Sequence, residues 1–145
     1  GFSSGPAAGT VLQITLIPKS LYDRWAEDSG LASGQADKNA DPDGDGWSNA
    51  LEFAFGMNPG SREAEPFSVS PDGSGIRVVF LARDGISNTV LTATNLQTGF
   101  DGTALASESS PQPSSVPPNY RQYEVTLPAT NPVTRSFLKI QAQVP

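Results

Sequence analysis

Apolar and polar residues alternate through residues 10–17, TVLQITLI, with Leu12, Ile14 and Leu16 on one face. That period of two predicts a strand, which Pro18 ends. The period then lengthens. Ser20 and Asp23 have capping-box spacing, so a short helix is expected, with Leu21 and Trp25 stacked four residues apart. Gly30 and Leu31 are placed to stop it in a Schellman motif. Trp25 reads as a helix-face anchor into the β module, with Phe53 or Phe55 as its partner. A polar connector, residues 33–40, precedes an acidic loop and a second helix over Ser48–Phe55. On that helix Leu51 and Phe55 share a face beside Ala50 and Ala54. Gly56 caps it, and Asn58-Pro59-Gly60 turns the chain.

From Phe67 onward the texture changes to short alternating runs between turn residues. Strands are expected at Phe67–Ser70, Ile76–Arg83, Thr89–Leu96, Tyr120–Leu127 and Ser136–Val144. Pro71-Asp72-Gly73 and Arg83-Asp84-Gly85 read as turns, since Gly supplies positive φ. Residues 107–119, SESSPQPSSVPPN, read as an exposed, mobile Ser/Pro loop. In the last run Leu138, Ile140, Ala142 and Val144 face one way and Lys139, Gln141 and Gln143 the other, as in a half-solvated antiparallel sheet. The expected fold is therefore mainly β, a small antiparallel β-sandwich or sheet module preceded by two short helices. Four segments follow: a linker remnant at 1–9, a strand plus helix–loop–helix at 10–60, a linker at 61–66, and an antiparallel β module at 67–145.

Composition narrows the chemistry. Among 145 residues, 14 Gly and 13 Pro support a turn-rich β fold over a helical bundle. There is no Cys and no His. Disulfides, thiolate nucleophiles, zinc–sulfur sites and Ser-His-Asp triads are excluded, and any bound metal must take oxygen ligands, as calcium or magnesium does. A net charge of −6 opposes nucleic-acid binding. No apolar run is long enough to span a membrane. The opening GFSSGPAAG has neither a basic nor an apolar region, so it reads as linker and not as a signal peptide, and the chain is expected to be a fragment of a longer protein.

The acidic loop carries the one declared chemistry. In DPDGDGWSNALE, residues 41–52, Asp41, Asp43 and Asp45 fall at positions 1, 3 and 5, Gly46 at 6, Trp47 at 7, Asn49 at 9 and Glu52 at 12. This matches the calcium-loop template without a gap. Calcium takes six to eight hard oxygens at about 2.3–2.6 Å. Alternate carboxylates point inward as the chain curls, and Gly46 allows the sharp turn. The Trp47 carbonyl is a neutral ligand, Asn49 acts directly or through water, and Glu52 closes the shell with two oxygens. A solvated acidic turn is the competing reading, but three Asp in five residues would then repel one another without return. The fold thus gains a single EF-hand-like calcium loop between its helices. Position 8 is Ser48, where paired EF-hands carry an apolar residue, and there is no second loop, so a groove-opening sensor is not expected.

The stretch ADPDGDGWSNALEFAFGMNP, about 20 residues, resembles the bacterial thrombospondin type 3-like calcium repeat. The surrounding WAEDSGL helix, the TNLQT turn and the RSFLKI strand resemble C-terminal regions of large secreted proteins of environmental bacteria. The resemblance implies a secreted or cell-surface, non-catalytic, calcium-stabilised module attached to upstream domains of the same parent protein. Two departures stand out: Trp47, where the repeat more often has Leu, and the single copy, which does not suit the rigid rods of tandem arrays. The alternative is an adhesion module binding carbohydrate or a cell surface through Phe100, Tyr120, Tyr123 and Trp47, against which stands ordinary packing of those rings. A dockerin-like role is disfavoured because dockerins use two duplicated loops. The remaining carboxylates, among them Asp23, Glu27, Asp84 and Glu124, show no acid/base spacing, so no enzymatic activity is expected.

Overall fold

The computed structural model describes residues 15–73, 75–128 and 136–145. Helix α1, Leu21–Asp28, begins as its capping box requires: Ser20 Oγ accepts the Asp23 N–H at 3.0 Å, and the Asp23 carboxylate accepts the Ser20 N–H. It ends in the expected Schellman motif, with Leu31 N–H donating to Ala26 O and Gly30 N–H to Glu27 O. Its buried face is not the expected one. Tyr22 and Ala26 are buried, Trp25 is half-buried, and Leu21 is 48% exposed. The Tyr22 ring meets Phe53 edge-on at 5.4 Å while its hydroxyl donates to the Ala36 carbonyl, so one side chain satisfies both core and connector. Trp25 also packs edge-on against Phe53, at 5.4 Å. Helix α2, Asn49–Phe55, has Ser48 as N-cap and left-handed Gly56 as C-cap. Phe53 and Ala54 on it are wholly buried.

Among the described residues seven strands follow, all paired antiparallel: β1 Phe67–Asp72, β2 Gly75–Arg83, β3 Ser87–Ala93, β4 Gly102–Ala104, β5 Ser107–Glu108, β6 Tyr120–Pro128 and β7 Phe137–Gln143. They form two sheets, in the orders β1-β2-β6-β5 and β4-β3-β7. The chain passes from one sheet to the other through Asp84-Gly85, where Gly85 takes φ 82°. Inward-facing Val78, Phe80, Ala82 and Val125 of the first sheet share one core with Val90, Leu138 and Ile140 of the second and with the helices. Phe55 meets Phe80 edge-on at 6.5 Å. Burying each such ring stabilises the fold by about 2–3 kcal/mol. This mainly β architecture agrees with the alternation in the sequence. No helix among the described residues is long and apolar enough to cross a membrane.

Several local expectations need correcting. Of the strand expected at 10–17, Thr15–Ile17 have no strand structure and Leu16 and Ile17 are 87% and 85% exposed; residues 10–14 lie outside the described residues. Pro71 and Asp72 end β1 instead of forming its turn, which edge position permits for Pro71. The third strand starts and stops earlier than expected, at Ser87–Ala93, and β4 and β5 were not anticipated. The Ser/Pro segment is tied down by β6. Ser109 is buried and donates its N–H to Gln122 O, and the Gln112 side chain accepts from the Gln122 N–H at 2.8 Å and donates to its carbonyl at 3.1 Å. A side-chain amide here satisfies the backbone that a longer strand would otherwise have paired.

Candidate metal centre

The loop between the helices is closed at its neck by backbone bonds. Asn49 N–H donates to Ala40 O at 2.8 Å and Ala50 N–H to Lys38 O at 2.9 Å. Within that neck, Asp side chains organise the backbone. Asp41 accepts N–H groups from Gly44, Asp45 and Gly46 at 2.8, 3.2 and 2.9 Å. Asp43 accepts from Asp45, and Asp45 from Trp47 at 2.8 Å. Gly44 and Gly46 take φ 73° and 100°, values that a side chain would strain. The turn chemistry of Asp and Gly therefore builds a concave chain with its carboxylates gathered.

Asp41, Asp43 and Asp45 each offer a carboxylate oxygen, and these oxygens lie within 4.8 Å of one another. Burial works to raise the Asp41 pKa, but the N–H groups of Gly46 and Gly44 outweigh it and hold the carboxyl below its ordinary range. Glu52 stands outside this close trio, wholly buried on the first turn of α2. Burial, then the charges of Asp43, Asp45, Asp41 and Glu63, pushes its pKa up to about 7. Neither Glu52 oxygen has a hydrogen-bond partner, nor do Asp43 Oδ2 and Asn49 Oδ1. Among the described residues only one other buried side-chain oxygen is orphaned, Asn88 Oδ1. Native folds leave few such groups, so four at one loop mark a place where something else belongs. An all-oxygen donor set of this kind fits a hard cation.

The six residues expected as ligands are not equivalent in the structure. The three Asp are brought together, and Glu52 is coupled to them by charge. Asn49 is wholly buried, and its Nδ2 donates to Gln35 O and Asp37 O at 2.7 and 2.8 Å, fastening the connector to α2. Trp47 packs its ring edge-on to Phe67 at 6.3 Å, linking the loop to the start of β1. Residues 61–66, read as a linker, also reach the site. Arg62 donates to the Asp43 carbonyl at 2.8 Å, and Glu63 N–H donates to Asp45 Oδ2 at 3.1 Å. Contacts 18 and 19 residues apart leave no periodic trace in sequence.

Of the four aromatic residues considered for sugar binding, Trp47, Tyr120 and Tyr123 have partners within the fold. Tyr123 stacks on Phe80 at 5.9 Å, and the Tyr120 hydroxyl donates to Phe53 O while Arg83 lies over its ring. A largely apolar cleft of about 1230 Å³ is lined by residues such as Val69, Ile76, Leu127 and Ile140, with Trp47 and Phe67 on its wall and Lys139, Gln141 and Gln143 adding polar groups. No protein-family model matches this chain, and no curated protein matches it.

Proposed function

We propose that this chain is a non-catalytic calcium-binding structural module of a secreted or cell-surface bacterial protein, in which calcium rigidifies the junction to the β domain. The observation that carries the reading is the buried, partnerless Glu52 carboxylate beside three gathered Asp. Without a cation these groups oppose the fold; a divalent ion removes the repulsion and satisfies the orphaned oxygens. Asp41, Asp43, Asp45, the Trp47 carbonyl and Glu52 would hold the ion. Asn49 would contribute through Oδ1 alone, since its nitrogen is engaged elsewhere. The residues themselves shape the loop, seal Glu52 from water and join α2 to the connector. Lone extracellular loops bind calcium with Kd of about 10⁻⁴–10⁻³ M, matched to millimolar external calcium. At ten times Kd the ion adds about 1.4 kcal/mol to the folded state.

Calorimetric titration tests this. One calcium should bind per chain, magnesium should compete poorly, and E52A should weaken binding more than N49A. A wild-type chain that takes up no calcium, or one that E52A leaves unaffected, defeats the reading.

A further inference from the structure

The calcium motif ends at Glu52, yet the apex of its loop is held from a later segment. Arg62 Nε donates to the Asp43 carbonyl oxygen at 2.8 Å. Its guanidinium lies so close to Gly44 that a Cβ there would come within 2.9 Å of Nη2. The Asp43 carbonyl and the Gly44 N–H belong to one peptide plane. That N–H donates to Asp41 Oδ1 at 2.8 Å. The plane is thus gripped on both sides, by a candidate ligand and by Arg62. Next along the chain, Glu63 N–H donates to Asp45 Oδ2 at 3.1 Å, so adjacent residues fix the carbonyl at loop position 3 and the carboxylate at position 5. The segment has its own footing. Glu63 accepts the Asn58 N–H at 2.7 Å, Asn58 Oδ1 accepts the Gly60 N–H at 3.0 Å, and Pro59 is wholly buried.

We propose that Arg62 is a positioning residue of the metal loop. It touches no ion, but it holds the Asp43–Gly44 peptide plane so that the Asp41–Asp45 curl is already formed when calcium arrives. The proposal rests on the calcium reading. Its sign sets it apart from a plain charge effect. A guanidinium near a cation site repels calcium, so if charge were its whole role, removing Arg62 would tighten binding. If it is a strap, removing it leaves the plane to be ordered at the expense of binding, and affinity falls.

The test is calcium titration of the wild-type chain, R62A and R62K at low and high salt. R62A should raise Kd about three- to five-fold at high salt, the equilibrium equivalent of one hydrogen bond, and by less at low salt, where losing the guanidinium's unscreened repulsion of the ion offsets part of the loss. R62K keeps the charge and one donor without the planar fork, and should recover part of the loss. An unchanged or lower Kd for R62A at high salt, where the charge term is screened, overturns the strap. Should R62A fail to fold, exchange of the Arg62 Nε–H with water, followed by nuclear magnetic resonance in the calcium-loaded wild-type chain, decides the matter. Slowed exchange supports the strap, and exchange as fast as free arginine overturns it. A wild-type chain that binds no calcium instead sinks the calcium reading itself.

Discussion

The Tyr120 hydroxyl donates a hydrogen bond to the Phe53 carbonyl at 2.9 Å, so the first residue of β6 holds the helix that carries Glu52. That carbonyl lies in the last turn of α2, where the helix has no further N–H to offer. Y120F keeps the ring against Arg83 but removes two bonds, the one to the Phe53 carbonyl and the one the hydroxyl accepts from Arg83 Nη1 at 2.8 Å. It should cost about 2 kcal/mol, or about 6 °C in Tm for a chain of this length. Thermal melting of Y120F against wild type checks this, and an unchanged Tm would mean water replaces the hydroxyl freely.

Glu52 and calcium should give opposite responses to one substitution. E52Q removes a buried carboxylate with no partner, so in EDTA at pH 8 its Tm should exceed that of wild type. The same change replaces the anionic two-oxygen carboxylate with a neutral amide that offers one oxygen, so most of the gain in Tm on adding calcium should disappear. Melting both proteins with EDTA and with millimolar calcium reads the crossing directly.

The pH dependence follows from the raised pKa of Glu52, about 7 in the fold against an ordinary 4.5. Below pH 4.5 the group is protonated in both folded and unfolded chains and adds nothing. Between 4.5 and 7 the unfolded chain releases its proton first, so the metal-free fold loses stability as pH rises, and above 7 the loss is complete. Calcium needs the ionised form, so its affinity moves the other way and should tighten about tenfold from pH 6 to pH 8. Asp41, held low, stays ionised over that range and does not blur the trend. Titrations at the two pH values test the slope.

Asn49 should behave as a staple more than as a ligand. N49A frees the carbonyls of Gln35 and Asp37 and leaves a gap at a wholly buried position. A loss of about 2–3 kcal/mol, or about 7–10 °C, is expected, and of similar size with EDTA and with calcium. If the loss appears only with calcium, Asn49 acts chiefly on the ion.

Much of this was legible in the chain, and the gaps have physical causes. The capping box and Schellman stop of α1 depend on residues next to one another, and both are formed. The buried face of α1 was misjudged because eight residues make barely two turns, and Tyr22 hides a core ring behind a polar tip. Strand β7 alternates from Leu138 onward and β6 from Tyr123 onward, and β2 is a long β-branched and apolar run, whereas β4 and β5, of three and two residues, are too short to display any period. The motif residues were readable from spacing alone. The grip of Arg62 and Glu63 on the loop was not, because it depends on how Pro59 is buried and where the turn after α2 points.

Trp47 answers to two masters. On the calcium reading the ion uses only its carbonyl, which every residue type supplies, while β1 feels only its ring, edge-on to Phe67. Selection for metal binding therefore leaves the side chain at 47 free to drift, and the sheet alone restrains it. Across a lineage of such chains, a change of size at 47 should be matched by a compensating change at 67, with the acidic positions around it standing still. A smaller residue at 47 would then be found opposite a different residue at the head of the first strand, and this loop would record in its sequence which β partner it has settled against.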